Sequence, residues 1–378
     1  MEVLQGIDAG LSPTNPEPHL HCLPAELLQQ IFLLIVHNLN GSDYPSIFSF
    51  EYTSPREYVI SVNFAAPPLL FTRVCRLWRA VACSTTGLWS RVQVILPGGI
   101  KPLGQFLPSV LQFWLSCSGN RPLTLCIDSR PLIVKCGRRF RCLPDSEGNS
   151  QLLEILLAER GRWDMVTFVS SIREWEVKLD TLDTPGLRNL ECNISDLKRF
   201  NAPNLSRLRI RGFSYVPAVP AGPTPTTTNI RYLHLDYASV HAICSTAVIF
   251  PHLQTLIVDR LFPPSESPLA TRTCLKIQSM TLSIFEYPYM IRPKFMALFE
   301  RLQLPMWQKL TLAGEPRKAE VALIISTLAA TPCYPQVIDF QTPMPLNEVD
   351  AAIAEPLLSF VEEVTVRGEV LCRRALCD

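Results

Sequence analysis

The first candidates for chemistry are a histidine and a carboxylate that stand two residues apart, His234 and Asp236. In a β-strand this spacing places both side chains on the same face. A histidine beside a carboxylate can transfer protons, but such a pair needs a third group that orients it. No third group stands at a matching spacing in the sequence. A solvated or ligand-facing strand position is therefore the favoured interpretation of this pair.

Three arginines just upstream also alternate onto one strand face. Two interpretations of Arg207, Arg209 and Arg211 remain open: a solvated face, or a contact for an acidic or phosphorylated peptide. The second follows because clustered arginines bind carboxylate and phosphate groups with paired hydrogen bonds. Tyrosine and arginine are also enriched among the dominant residues of protein interfaces. The candidate target-binding residues are therefore Arg207, Arg209, Arg211, Tyr232, His234 and Asp236.

Sequence motifs for catalysis or cofactor binding are absent. The chain has no GxSxG, no phosphate-binding P-loop and no GxGxxG. Its 13 cysteines form no CxxC, and the nearest approaches to a metal cluster are Cys136 with Cys142, and His19 with His21 and Cys22. Neither group has the usual zinc-ligand spacing. We expect a protein that is not an enzyme, with no cofactor, no metal and mostly buried, unpaired cysteines.

The net charge and the length of the chain narrow the classes of protein to which it can belong. The 35 basic and 34 acidic residues nearly cancel, so bulk charge favours neither a nucleic-acid partner nor a membrane. The longest apolar run near the N-terminus covers residues 31–36, too short for a signal peptide or a membrane span. We therefore expect an intracellular protein, cytoplasmic or nuclear. At 378 residues, the chain can form two or three domains, or one domain and a repeat array.

One apolar pattern recurs along most of the chain: apolar, two residues, apolar, one residue, apolar. Most clear copies lie about two to three dozen residues apart, which is roughly the period of leucine-rich repeats. The family's asparagine is missing, so the pattern resembles degenerate repeats. Copies begin at Trp89, Trp163, Leu187, Leu205, Ile230, Leu253, Ile277, Trp307 and Val361, with partial copies at residues 123–125 and 337–338.

Segments between these copies have the spacing of helices that pack on one face. The predicted helices cover residues 150–160, 293–304, 315–330 and 347–360. Alternating strands and helices predict an α/β fold in which each unit is buried by its neighbours. Pro-rich stretches at 216–225 and 262–268 are predicted to be loops.

A second kind of pattern lies near the N-terminus. Residues 23–32 read LPAELLQQIF, residues 74–82 read VCRLWRAVA, and residues 88–92 read LWSRV. Leu23, Leu27, Ile31 and Leu34 recur at the spacing of one helix face. The order of these three segments resembles the F-box, the module that docks a substrate receptor onto the Skp adaptor of cullin-RING ubiquitin ligases. The positions that match its docking and core motif are Leu23, Pro24, Leu27, Ile31, Val74 and Trp78.

One feature departs from the F-box pattern, in which the first two helices are joined by a short loop. Residues 40–68 intervene here, interrupted by Gly41 and four prolines, and we expect an irregular loop that the fold does not require. The expected organisation is a flexible tail (1–21), an F-box-like helical module (22–95, hereafter the helical module) and a degenerate leucine-rich-repeat-like solenoid (96–378).

These patterns imply an interaction protein. The resemblance implies a non-catalytic substrate receptor whose partners are a Skp-type adaptor, a cullin reached through it, and a target protein that the sequence does not identify. The alternative is a stand-alone repeat scaffold, without ligase activity, in which the helices cap the array. Copurification with a Skp adaptor distinguishes the two hypotheses.

Overall fold

The structure is a computed structural model of the chain. It describes residues 23–38, 44–54, 57–96, 106–129, 133–136, 139–142, 147–169, 181–211, 225–262, 273–283, 288–314, 318–331, 333–342 and 351–374. The expected tail, the segment that follows residue 96 and most of the two Pro-rich stretches lie outside these ranges. Among the described residues, no helix combines the length and the apolar composition needed to cross a bilayer.

The described residues form helices and strands throughout. The helices are α1 (Ala25–His37), α2 (Phe71–Val74), α3 (Arg76–Ser84), α4 (Phe106–Cys117), α5 (Glu147–Ala158), α6 (Pro225–Thr228), α7 (Val240–Ile249), α8 (Pro288–Arg301), α9 (Lys318–Ala329) and α10 (Ala351–Ala354). The strands are β1 (Phe48–Ser54), β2 (Glu57–Val62), β3 (Arg91–Leu96), β4 (Leu123–Ser129), β5 (Ile133–Cys136), β6 (Arg139–Cys142), β7 (Trp163–Phe168), β8 (Leu182–Asp183), β9 (Asn189–Asn193), β10 (Phe200–Asn201), β11 (Arg207–Arg211), β12 (Tyr232–Ser239), β13 (Thr255–Phe262), β14 (Thr273–Cys274), β15 (Ser279–Ser283), β16 (Leu302–Gln303), β17 (Lys309–Ala313), β18 (Val337–Gln341), β19 (Glu363–Val366) and β20 (Glu369–Arg373).

A large, mostly parallel sheet dominates the fold. Within the described residues it contains twelve strands, and their spatial order follows the chain: β3-β4-β7-β9-β11-β12-β13-β15-β17-β18-β19-β20. The neighbouring pairs are parallel apart from β19 with β20, which are antiparallel. The prediction of an α/β fold is therefore confirmed.

Each copy of the apolar pattern corresponds to a strand of this sheet. In β11, for example, Leu208 and Ile210 are buried, and Leu205 is buried just before the strand begins. The residues between them point to the opposite face because side chains alternate along a strand. The partial copies at 123–125 and 337–338 are also strands, β4 and β18.

Three of the four helices predicted between the strands are present, as α5, α8 and α9. The fourth is shorter: α10 is followed by a 3₁₀ turn, Glu355–Ser359, that contains Pro356. Proline lacks the N–H that would continue the α-helical hydrogen bonds. Three further helices, α4, α6 and α7, were not predicted from the sequence.

The helical module contains a break that the sequence pattern hides. The segment 74–82 does not lie in one helix, because Cys75 is extended, with φ −156° and ψ 175°, and separates α2 from α3. The Cys75 Sγ accepts a hydrogen bond from the Trp78 N–H at 3.4 Å and so caps α3. Across the module, the Phe32 ring stacks on Phe71 with 4.2 Å between centroids. This contact packs α1 against α2.

The insertion at 40–68 is not an irregular loop, and that prediction is wrong. Strands β1 and β2 form an antiparallel hairpin, and Ile47, Phe48 and Val62 are buried in the core. The backbone of the segment before β1 bonds the first strand of the sheet: the Gln93 N–H donates to the Pro45 carbonyl at 2.9 Å. In the sequence, the aromatic residues Phe48, Phe50 and Tyr52 at every second position carry the strand signal, and Pro45, Pro67 and Pro68 lie outside the strands.

One hydrophobic core joins the helical module to the sheet. Leu28 and Phe32 of α1 belong to the same cluster of buried side chains as Trp89, Val92 and Trp114. Strand β3, the first strand of the sheet, lies within residues 22–95 except for its last residue, Leu96, although the sequence assigns residues 22–95 to the helical module. The module and the sheet are therefore held in one orientation by shared packing.

Candidate protein-binding surfaces

The strand register brings the predicted target-binding residues together on one face of the sheet. Arg207 pairs with Tyr232, and Arg209 pairs with His234, on the parallel strands β11 and β12. Tyr232 in turn lies beside Thr255 of β13. Because neighbouring strands are about 4.7–4.9 Å apart, these side chains form continuous rows across the sheet.

Arg209 lies at the centre of an arginine–carboxylate network formed by Glu191, Arg209, Arg211, Asp236 and Asp259. Its Nε lies 3.0 Å from Asp236 Oδ1 and 3.2 Å from Glu191 Oε1, and its Nη2 lies 3.7 Å from Asp259 Oδ2. Burial by itself lowers the pKa of Arg209, but the hydrogen bond to Asp236 and the surrounding carboxylates raise that pKa above its ordinary value. The positive charge of Arg209 is thus already balanced within the protein.

Arg211 belongs to the same network. Its Nε lies 2.5 Å from Glu191 Oε1, the oxygen that Arg209 also approaches. The other oxygen of that carboxylate accepts a hydrogen bond from the Thr167 hydroxyl at 3.1 Å. Glu191 therefore connects β7, β9 and β11. Glu191 was not among the predicted site residues. The available signal was its position between the inward-facing Leu190 and Cys192 of a repeat copy, which turns its side chain to the outer face.

An acid–base pair would require His234 to pair with Asp236, but His234 does not do so. Its Nε2 lies 2.9 Å from Asp259 Oδ1 of the neighbouring strand, although the two groups lack hydrogen-bond geometry. Ligand atoms of His234, Asp236 and Asp259 lie within 4.8 Å of one another, a donor set that suits a divalent metal. Arg209, however, contacts both carboxylates and supplies the positive charge in this cluster.

Arg207 differs from the other two arginines of its strand. Its guanidinium lies over the Tyr232 ring, 5.6 Å from the centroid, and within the described residues it forms no ion pair. Of the six predicted target-binding residues, Arg207 and Tyr232 therefore keep their polar groups available, whereas Arg209, Arg211 and Asp236 are joined to one another through the network.

A second candidate surface lies on the helical module. Three of the six residues matched to the docking motif are exposed apolar side chains: Leu27 (45% exposed), Ile31 (38%) and Val74 (52%). Pro24 is also exposed, whereas Leu23 and Trp78 are partly buried against the core. The helical module has further exposed aliphatic side chains that the motif does not contain, namely Leu34 and Ile35 on α1, Leu70 just before α2 and Leu77 on α3.

The helix α1 has two apolar sides with different environments. Leu28, Phe32 and Val36 are buried, whereas Leu27, Ile31, Leu34 and Ile35 face outward. A single helix needs only one apolar stripe to pack on its own core. The second stripe therefore has no packing role within the described part of the chain.

Cationic side chains border this exposed apolar surface. Arg73, Arg76 and Arg79 of α2 and α3 are exposed. The Arg73 guanidinium lies 4.9 Å from the Phe64 ring centroid, and Arg79 Nε donates to the Thr72 carbonyl at 2.6 Å. An apolar centre with a polar rim is the usual arrangement of a protein interface.

Comparison of the chain with protein-family models, with curated proteins and with solved structures finds no match.

Proposed function

We propose that this protein is a non-catalytic substrate receptor of a cullin-RING ubiquitin ligase. The helical module acts as an F-box that docks on a Skp-type adaptor, and the sheet, as a degenerate leucine-rich-repeat solenoid, captures a target protein. The observation that carries this proposal is the second apolar stripe of α1. Exposed aliphatic side chains occur at the positions where the F-box resemblance expects docking residues.

The energetics of these side chains support a docking role. Large aliphatic groups on packed, neighbouring helices favour a partner because each contributes roughly 1.5–3 kcal/mol when it is fully removed from water. Leu27, Ile31 and Val74 together with Leu34 supply enough apolar surface for the centre of an interface. The arginines at the border suit a partner with acidic groups at the rim of its own docking surface.

The order of the strands supports the receptor half of the proposal. Each strand pairs with the next strand along the chain, so every unit buries its apolar residues against its neighbours, as in solenoid proteins. The helical module shares its core with β3 and α4. Docking of the module would therefore also fix the orientation of the sheet and of any target bound on it.

The test is co-expression of the full chain with a Skp-type adaptor, followed by affinity purification. We expect the adaptor to copurify with the unmodified chain and to be lost, by at least about tenfold, from Leu27→Ala/Val74→Ala, since two aliphatic contacts are removed. Both side chains are about half exposed, so the fold should be retained. The matched control is Val248→Ala/Val370→Ala, which alters two exposed valines outside the helical module.

Two results would contradict the proposal. One is a failure of the adaptor to copurify with the unmodified chain. The other is equal recovery with the double variant and with its control. Either result would favour the alternative, a repeat scaffold in which the helical module only covers the end of the array.

A further inference from the structure

Two adjoining grooves lie where the strands of the sheet begin. The first has a volume of about 490 Å³ and is lined by Arg207, Arg231, Tyr232 and Gln254 among others. The second has a volume of about 400 Å³, shares Arg231 and Gln254 with the first, and adds Lys276. Together they form one continuous feature, the edge groove, along the starts of β11, β12, β13 and β15.

The repeat pattern explains why these side chains form a row. All of them lie within two residues of the first apolar residue of a copy. Arg231 follows Ile230 and Gln254 follows Leu253. Lys276 precedes Ile277, and Arg207 stands two residues after Leu205. The backbone fixes their spacing, since the Arg231 N–H donates to Ser206 O at 3.0 Å and the Gln254 N–H donates to Arg231 O at 2.8 Å. One such residue therefore stands on each successive strand, at the strand spacing of about 4.7–4.9 Å.

Charge distinguishes the edge groove from the arginine–carboxylate network. Arg207, Arg231 and Lys276 line it, and no carboxylate does so among the described residues. In the described part of the chain, none of these three cations belongs to an ion pair. Arg209 and Arg211, by contrast, are occupied by Glu191 and Asp236. As far as the described residues show, the edge groove is therefore a positively charged site without a counter-ion.

We propose that the edge groove binds a phosphorylated segment of the target protein. A phosphate group carries close to two negative charges at neutral pH, and arginine binds it through paired N–H donors. Arg207 begins β11, Arg231 immediately precedes β12, and both line the first groove, so both can contact one phosphate. Lys276 and the amide of Gln254 would contact flanking groups. That the ligand is a ligase target rests on the proposed function; the phosphate-binding chemistry rests on the groove alone.

The observations favour a phosphopeptide over a nucleic acid. Nucleic-acid sites neutralise many phosphates and need an extended basic surface. Here the net charge of the whole chain is +1, and the lining cations are confined to two grooves. A short segment with one or two phosphates matches that limited charge.

The experiment measures binding of fluorescent peptide libraries to the purified full chain. The libraries have random flanking residues around a central phosphoserine, an unphosphorylated serine or a glutamate, and an oligouridylate RNA is the fourth probe. We expect the phosphoserine library to bind at least about tenfold more tightly than the other three, because a charge-assisted pair to an arginine is lost without the phosphate. This binding should weaken as salt is added.

Variants locate the site. Arg231→Ala and Arg207→Ala/Lys276→Ala should each reduce phosphoserine binding by about tenfold, and Arg231→Lys should recover part of it because the charge remains. The matched control is Arg260→Ala, which removes an exposed arginine from the far end of β13 that lines neither groove. Thermal melting of every variant shows whether the fold is retained.

Three results would overturn the inference: equal binding of the serine or glutamate library, tighter binding of the RNA, or equal losses in the Arg260→Ala control. Adaptor copurification is measured on the same preparations. Loss of the adaptor with retained phosphopeptide binding contradicts only the proposed ligase function, whereas retained adaptor without phosphopeptide binding contradicts only the edge groove.

Discussion

Arg209 and Glu191 lie on neighbouring parallel strands, with Arg209 Nε 3.2 Å from Glu191 Oε1. The same carboxylate oxygen also receives Arg211. The three arginines that alternate along one strand face, Arg207, Arg209 and Arg211, therefore have different roles in the structure. Arg209 and Arg211 stabilise the sheet by balancing carboxylates of adjacent strands. Of these three arginines, Arg207 alone has no ion pair among the described residues.

The first prediction separates these two roles. Arg209→Ala should lower the free energy of unfolding by about 1–2 kcal/mol, because Glu191, Asp236 and Asp259 then repel one another, and partial exposure screens part of the effect. Arg207→Ala should leave that free energy unchanged within about 0.5 kcal/mol. Urea unfolding of both variants makes the measurement. Equal destabilisation would show that the network has no stabilising role.

The second prediction concerns the hairpin of β1 and β2. Replacing residues 48–62 with a short Gly/Ser linker should destabilise the protein by more than about 2 kcal/mol, since Phe48 and Val62 leave the core. Thermal melting and limited proteolysis would show the loss. As a control, Ser49→Ala/Ser61→Ala removes an exposed hydroxyl pair from the same hairpin and should melt like the unmodified chain. An unchanged melting temperature after the replacement would mean that the hairpin is dispensable.

The third prediction ranks Trp89 and Trp78 by how deeply each side chain is buried. Trp89 is fully buried, its Nε1 donates to the Ala82 carbonyl at 2.8 Å, and its own carbonyl accepts from Trp114 Nε1 at 2.9 Å. Trp89→Ala should cost about 3–5 kcal/mol. Trp78 is only partly buried, against Phe32, so Trp78→Ala should cost less. Denaturant midpoints give the order, and a larger effect at Trp78 would contradict this packing.

The fourth prediction concerns pH and the buried carboxylate of Asp339. Burial alone would raise its pKa, but Lys309 Nζ at 2.8 Å, the Gly368 N–H and the Thr365 hydroxyl together lower that pKa below its ordinary value. Because the folded-state pKa is the lower one, the stabilisation is complete above the unfolded-state pKa of about 3.9 and is lost as the pH falls through the folded-state pKa.

Asp339→Asn should therefore lower the free energy of unfolding near neutral pH. It should also reduce the further decrease of that free energy as the pH falls. The measurement is the free energy of unfolding in a pH series from about 7 down to about 3. Thr365→Val removes one hydrogen bond but keeps the Lys309 pair, so it should retain most of the pH dependence. A constant difference between Asp339→Asn and the unmodified chain at every pH would exclude this titration.

The helical module shows why a local pattern determines less than it suggests. The spacing of Leu27, Ile31 and Leu34 correctly indicates an apolar helix face, but that face is exposed, and the core is formed by Leu28 and Phe32 on the adjacent side. Both stripes have helical periodicity. Only the positions of α2 and α3 decide which stripe is buried.

The sequence alone determined where eleven of the twelve described strands of the large sheet lie, from the copy at Trp89 to the copy at Val361, and it did not predict β20. Alternation with a period of two is a local property, and it is read directly wherever one strand face must be buried. The tertiary structure decided which partner each polar side chain has. Arg209 meets Glu191, Asp236 and Asp259 across strands that are far apart in sequence, and Arg231 and Lys276 reach one groove in the same way. Ion pairing depends on distances of a few ångströms between separate strands, and such distances exist only once the strands are in register.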